Sequence, residues 1–328
     1  MIFQRNFLLD ENKLENLLNK LKKQCLWWEN IINDKDLYID IRKGNELNVY
    51  YNGGSILRIN SSLNKIYFNY QYLPLKDNYL PLKLTDNNIK EQDFCINIDF
   101  NNFDKNIIKK IKNRITKYYP SSSEKGIQGK YELCQKEKMG FFVDTEYAYK
   151  YYDEKERKPK TSRIDLVYYH IKTNKLYFVE LKTIEDSRLC IKEDDEGNLI
   201  EVKSKDKEPI NEQLKKYHKF IKENKSDLKE FYKKIIRIKS KFGLLRNKIS
   251  EFDLDKLEDM EIEEKPILLI GNTSTNFMKK YDVLIKKHES IFFNEIFENC
   301  CYRVYRHNDT NYINLGNCKN IYPSPVHI

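Results

Sequence analysis

The chain has 328 residues and a formal net charge of +9, with 33% charged and 40% hydrophobic residues, a size and mix that favour two globular domains. Its seven cysteines are odd in number and include no C-x-x-C pair, which argues against a secreted disulfide framework and for reduced thiols in a cytoplasmic protein. No apolar run approaches the roughly 20 residues that a membrane-spanning helix needs, so we expect no membrane partner.

The first 118 residues predict a small α+β domain. An apolar stripe at helical spacing predicts a helix over 10–33, formed by Leu14, Leu17, Leu18, Leu21, Cys25 and Trp28. Four short strands follow, namely LYIDIR, LNVYYN, SILRIN and KIYFNY, with a hairpin turn at NGG (52–54). A second helix is predicted at about 103–118. No residue pattern here indicates a chemistry, so this domain is a candidate for substrate recognition, partner binding or homodimerisation.

Residues 119–328 predict a second domain with an α-β-β-β-α-β core. The predicted elements are a helix at about 124–138, strands at 140–152, 162–171 and 175–183, a polar hairpin at 189–205, a helical region from Pro209 that breaks near Ser226 and Asp227, a strand at 266–271, a helix at about 275–288 and a last strand at 301–306. This alternation is typical of an α/β fold with a central sheet.

Charged residues interrupt two apolar strands of the second domain. Glu180 and Lys182 are two residues apart on a strand, so their side chains point to the same face, and Asp165 lies in the preceding apolar strand. Buried charges are unfavourable unless they are paired or bind a metal. The pattern therefore indicates an ion pair at a strand end, a surface hairpin with a cross-strand pair, or a functional site.

An acid on one strand followed by E-x-K on the next, within an αβββαβ order, resembles the PD-(D/E)xK nuclease superfamily. Ile164 stands where the family name has proline. The resemblance implies a restriction-endonuclease-like core with a mixed central sheet, and a nuclease that uses Mg²⁺ or Mn²⁺ to hydrolyse phosphodiester bonds in DNA. Restriction, phage defence and repair all use this fold.

The resemblance also implies roles for individual residues. Asp165, Glu180 and the backbone carbonyl of Leu181 would bind the metal ion, and Lys182 would orient the attacking water or stabilise developing negative charge. Glu132, on the first core helix, is a candidate for an additional metal ligand. Two other glutamates are weaker candidates for that ligand, Glu124 and Glu146.

A second motif lies on the helix after the E-x-K strand. Gln213 and Tyr217 match the Q-x-x-x-Y motif of the RecB-like and lambda-exonuclease-like branches, which implies that they orient the site or contact the DNA backbone. At i and i+4 they share a helix face. Tyr217 also continues an apolar stripe, so it could equally be a core residue. We expect the neighbouring lysines to bind the substrate backbone, namely Lys215, Lys216 and Lys219.

The helical region from Pro209 to Lys248 is strongly basic. It holds thirteen Lys and Arg residues against four acids, an excess equal to the net charge of the whole chain. Such an excess favours binding of a polyanion, although a solvated helix face would carry the same composition.

Three alternatives remain open from the sequence. Glu201-Val202-Lys203 is a rival E-x-K motif in the polar hairpin. The chain could be a nuclease-like scaffold that binds nucleic acid without cleaving it, or a ribonuclease of the same fold. The last cysteines, Cys300, Cys301 and Cys318, lack the spacing of an iron–sulfur site, so we expect no cluster.

Overall fold

A computed structural model describes most of the chain outside its C-terminal end, namely residues 3–4, 9–42, 44–60, 65–72, 94–97, 105–120, 123–133, 140–153, 156–183, 186, 188, 191–193, 199–201, 208, 210–245, 253–271 and 304–306. The chain divides into two units. Unit 1 comprises Met1–Arg5, Cys134–Lys233 and Glu251–Ile328, and unit 2 comprises Asn6–Leu133 and Lys234–Ser250. This division differs from a single boundary after residue 118, and the two predicted domains, 1–118 and 119–328, stay a prediction.

The described residues form six α-helices: α1 Glu11–Gln24, α2 Leu26–Asn33, α3 Lys105–Tyr118, α4 Glu124–Leu133, α5 Ile210–Glu223 and α6 Lys225–Lys241. The single helix predicted over 10–33 is wrong, because the backbone is extended at Cys25, where α1 ends and α2 begins. The predicted break in the basic region occurs slightly earlier, at Asn224 between α5 and α6. The helix predicted at 275–288 lies outside the described residues.

The strands of the described residues are β1 Phe3–Gln4, β2 Leu37–Arg42, β3 Glu46–Tyr51, β4 Gly54–Asn60, β5 Lys65–Phe68, β6 Phe94–Asn97, β7 Gly140–Asp153, β8 Lys158–His170, β9 Lys175–Thr183, β10 Ile191–Glu193, β11 Leu199–Glu201, β12 Glu261–Ile262, β13 Ile267–Gly271 and β14 Val304–Arg306. The predicted strands of both domains are confirmed within a few residues of their ends. The predicted polar hairpin is confirmed as the antiparallel pair of β10 and β11.

Unit 2 contains a five-stranded antiparallel sheet in the order β2-β3-β4-β5-β6. The predicted NGG turn joins β3 to β4, and both Asn52 (φ 49°) and Gly53 (φ 80°) are left-handed, as a tight hairpin turn of this kind requires. The predicted leucine stripe of α1 is buried in the core of this unit. A buried ion pair, Lys239 Nζ to Asp40 Oδ1 at 2.8 Å, also lies in unit 2.

Unit 1 contains a seven-stranded mixed sheet. Its order is β1-β7-β8-β9-β13-β14, and the short strand β12 also pairs with β9. Strands β7, β8 and β9 are antiparallel neighbours, whereas β13 runs parallel to β9 and β14 parallel to β13. Parallel neighbours need a long crossover connection, and the segment between β9 and β13 contains α5 and α6.

Helix α5 packs on the sheet of unit 1 through its apolar stripe. The aromatic ring of Phe220 stacks on that of Tyr149 in β7 with centroids 3.9 Å apart, and Tyr217, Leu214 and Ile210 of the same helix are buried. This packing fixes α5 beside the strands that carry the charged residues. The protein is therefore an α/β protein with a mixed sheet, and the restriction-endonuclease-like core stays a prediction.

Candidate active site

The candidate site lies where β8 and β9 stop pairing. The last register pair is Leu166 opposite Val179, so Asp165 and Glu180 come next along the two strands. Here the carboxylate of Asp165 acts as the acceptor for the neighbouring backbone, because its Oδ2 accepts the N–H of Leu181 at 2.8 Å. The Asp165 carboxylate thus bridges β8 and β9 at the point where their backbone pairing stops.

The ammonium group of Lys182 lies among three oxygen atoms at this point. Its Nζ forms a short hydrogen bond to Oε1 of Glu180, donates to the carbonyl oxygen of Leu181 at 2.7 Å, and lies 3.5 Å from Oδ2 of Asp165. The side chains of Glu180 and Lys182 are each 1% exposed and that of Asp165 is 16% exposed. The surface position in the hairpin alternative is therefore wrong, whereas the cross-strand ion pair that it predicted is present, between Lys182 and Asp165.

Gln213 and Tyr217 extend this cluster into α5. Gln213 Nε2 donates to Oε1 of Glu180 at 2.8 Å and to the hydroxyl of Tyr217 at 2.5 Å, and that hydroxyl donates to the carbonyl oxygen of Arg163 in a short hydrogen bond. Tyr217 is fully buried. The tyrosine is thus a core residue that also belongs to the hydrogen-bond chain, and its functional role stays a prediction.

The environment of Tyr217 keeps its hydroxyl protonated. Burial raises the pKa of Tyr217 well above its ordinary value, and the negative charges of Glu180 and Asp165 raise this pKa further. A neutral hydroxyl can donate to the Arg163 carbonyl while accepting from Gln213. Gln213 therefore donates to Glu180 on one side and to Tyr217 on the other, and Tyr217 donates onward to Arg163.

A second ion pair, which the sequence analysis missed, follows the E-x-K strand. Arg188 donates through Nε to Oδ1 of Asp186 at 2.9 Å and through Nη2 to Oδ2 at 2.5 Å. Burial by itself would raise the pKa of Asp186. The hydrogen bonds from Arg188 outweigh burial and lower this pKa, and the charge of Lys182 acts in the same direction. The signal available in the sequence was an acid and an arginine two residues apart just after a strand.

The oxygens around the Lys182 ammonium fit a hard divalent cation in their chemistry. Two carboxylates, from Asp165 and Glu180, and the Leu181 carbonyl already surround a cationic group. Mg²⁺ is commonly held by one or two carboxylates, with waters and substrate phosphates completing its shell. Among the described residues, however, no group of three or more His, Cys, Asp or Glu side chains is arranged to hold a metal ion.

The other glutamates proposed as metal ligands are on α4 and β7. Glu132 is buried on α4, in unit 2, where its negative charge is one of several that raise the pKa of the buried Tyr38, after burial itself and Asp40. Glu124, at the first turn of α4, is in the same unit. Glu146 is in unit 1, on β7, where it adopts a left-handed φ of 49°. The role of Glu132 as a ligand stays a prediction.

The three lysines proposed to bind substrate are each paired with an acid. Lys215 lies 2.8 Å from Glu212 and Lys219 lies 3.8 Å from Glu223. Lys216 pairs with Glu208 and lies over the ring of Tyr151, 5.0 Å from its centroid. Local acids therefore offset part of the positive charge of α5, which the count of basic residues alone did not show.

Two further lysines of the basic region 209–248 are buried in ion pairs and are not exposed to solvent. The side chain of Lys233 is 7% exposed and contacts Glu230 and Glu258, whereas Lys239 is bound to Asp40 in unit 2.

The rival motif Glu201-Val202-Lys203 begins at the end of β11, in a separate two-stranded hairpin, and Val202 and Lys203 lie outside the described residues.

Comparison with protein-family models, curated proteins and solved structures finds no match to this chain. None of the helices in the described part of the chain combines the length and the apolarity that crossing a bilayer requires.

Proposed function

We propose that the protein is a metal-dependent nuclease that hydrolyses phosphodiester bonds in DNA. The main support is the convergence of Asp165, Glu180 and Lys182 at the end of one strand pair, which the spacing of the motif predicted. Two hard carboxylates beside an ammonium are the groups that cleavage of a phosphate ester needs, since charge must be neutralised on the phosphoryl oxygens and on the leaving group.

Each residue has a separate part in this proposal. Asp165 and Glu180 would hold a Mg²⁺ or Mn²⁺ ion together with the Leu181 carbonyl. When bound, the ion supplies Lewis-acid charge to the scissile phosphate. Lys182 places a positive charge beside the reacting phosphate, and its proton donors are suited to a developing negative oxygen.

Gln213 and Tyr217 are positioning residues in this proposal rather than catalytic ones. Their hydrogen bonds connect the β8 backbone at Arg163 to the carboxylate of Glu180. Residues that orient a ligand in this way commonly change metal affinity or activity by about 10–100-fold when they are mutated. The lysines of α5 would contribute contacts to the substrate backbone after exchanging their local acid partners for phosphates.

The substrate is tested by incubating the protein with duplex DNA, single-stranded DNA and RNA in Mg²⁺, Mn²⁺ or EDTA. We expect cleavage of DNA that requires a divalent ion and stops in EDTA. Cleavage of RNA alone would assign the ribonuclease alternative. Mapping the product ends separates endonuclease from exonuclease action.

A second candidate is a scaffold that binds nucleic acid without cleaving it. The near-complete burial of Glu180 and Lys182 favours it, because a catalytic site must admit its substrate. Binding of DNA that weakens steeply with salt, with no cleavage in either metal ion, would support the scaffold and contradict the nuclease.

A further inference from the structure

The ammonium group of Lys182 already makes the contacts that a bound cation would make. Its Nζ lies within hydrogen-bond distance of three oxygens, from Glu180, Leu181 and Asp165. A lysine ammonium has three proton donors, so these acceptors use its full capacity. They are also the three oxygen sources that the sequence resemblance assigns to the metal ion.

We infer that Lys182 and the divalent ion compete for one position, so that Lys182 closes the site in the metal-free protein and must move when the ion binds. This inference rests on the proposed metal-dependent function. Two cations that share the same oxygens would repel each other at a separation of a few ångströms, and in a buried site water screens that repulsion poorly. The flexible four-carbon stem of a lysine allows its ammonium group to move away.

Gln213 gives Glu180 a contact that does not depend on the ammonium. Its Nε2 donates to the same carboxylate oxygen, Oε1, at 2.8 Å. When Lys182 moves, this hydrogen bond still orients the Glu180 carboxylate. Lys182 thus acts as an internal substitute for the ion, and removal of its charge should strengthen binding of the metal while it abolishes the contribution of the ammonium to cleavage.

The test is Mn²⁺ binding by isothermal titration calorimetry, without nucleic acid, to the full chain and to Lys182→Met. We expect the variant to bind Mn²⁺ at least about tenfold more tightly, equivalent to about 1.4 kcal/mol. Lys225→Met is the matched control, because Lys225 is also paired with an acid, Glu264 at 2.8 Å, but lies on α6. The control should bind Mn²⁺ as the wild type does.

Two further measurements test the same competition if Lys182→Met does not fold. Lys182→Gln keeps a donor for the carboxylates without the charge, and it should also bind Mn²⁺ more tightly. In the wild type, acetylation of lysines read by mass spectrometry should show Lys182 protected in EDTA and modified faster in Mn²⁺, with Lys225 unchanged.

The outcomes separate the inference from the proposed function. Equal or weaker Mn²⁺ binding by the folded Lys182 variants, or a Lys182 that stays protected while the ion binds, would overturn the competition alone. Absence of Mn²⁺ binding in the wild type and in both variants would overturn the metal-dependent function as well.

Discussion

The buried carboxylate of Glu180 receives hydrogen bonds from both sides of the candidate active site. Lys182 donates from the same strand and Gln213 donates from α5, and the amide of Gln213 is itself held by Tyr217. A buried polar network has large effects when one member is removed, because the remaining groups keep their desolvation penalty. Single substitutions at this site should therefore have distinguishable effects on activity and stability.

Gln213→Ala should lower the rate of DNA cleavage about 10–100-fold, because Glu180 loses the donor that orients it. We expect the effect in kcat, with the KM for DNA nearly unchanged, because Gln213 in this proposal acts by orienting Glu180. Glu212→Ala is the control, because Glu212 is the neighbouring, exposed residue of α5. An unchanged kcat in Gln213→Ala would contradict a positioning role.

Tyr217→Phe should lower the free energy of unfolding by about 0.5–1.5 kcal/mol, because the ring remains but the part-buried hydrogen bond from the hydroxyl to the Arg163 carbonyl is lost. Urea unfolding in EDTA measures this change. A fully neutral substitution would mean that Tyr217 contributes only its ring to the core.

At the scale of elements, local patterns predicted the strands well because each is a short apolar run bounded by turn residues. β2 coincides with LYIDIR, and Asn52-Gly53 form the predicted turn. The split at Cys25 was not predictable from periodicity, because the apolar stripe continues into α2 through Trp28 and Ile31. In the same way, the Lys239–Asp40 pair joins residues 199 positions apart, which no local pattern reveals.

Gly129→Ala in α4 should destabilise unit 2, although alanine is the better helix former by about 1 kcal/mol. A Cβ at this position would lie 2.8 Å from Cα of Asn52, in the β3–β4 turn, and a backbone neighbour cannot move as a side chain can. Overpacking of this kind commonly destabilises by about 1–3 kcal/mol. Thermal unfolding measures the effect.

Lys130→Ala, at an exposed position of the same helix, is the control for Gly129→Ala and should change stability little. If Gly129→Ala proved as stable as the wild type, the close approach of α4 to the β3–β4 turn would be contradicted.

At the scale of the whole molecule, the sequence predicted the α/β class and the proximity of Asp165, Glu180 and Lys182, since both depend on local runs and their order. The sequence did not predict how much of the positive charge is neutralised, because the folded structure determines which acids pair with the lysines of the basic region. Lys233 and Lys239 contribute to the count of positive charges in the sequence yet are buried against acids. The basic excess is therefore a poor measure of the charge available to a polyanion.

Buried tyrosines should make the protein sensitive to alkaline pH. Burial raises the pKa of Tyr169 to about 12 and raises those of Tyr38 and Tyr217 well above the ordinary value of 10.0. Because these folded-state pKa values are raised, their stabilising contribution is complete below pH 10.0 and is lost as the pH rises through the folded-state values. We expect the unfolding temperature to fall steeply from pH 10 to pH 12.

Tyrosinate absorbance measured in the same alkaline series distinguishes this cause. Ionisation of the buried tyrosines should accompany unfolding. Ionisation of all tyrosines near pH 10 in the folded protein would contradict their burial.

The most direct measurement of the central claim is cleavage of DNA in Mg²⁺ by the wild type, Asp165→Ala and Lys182→Ala, each checked for folding by circular dichroism. Lys225→Ala serves as the control. We expect the wild type and the control to cleave and both site variants to be inactive while folded. Cleavage at the wild-type rate by folded Asp165→Ala and Lys182→Ala would contradict a nuclease site at the point where β8 and β9 stop pairing.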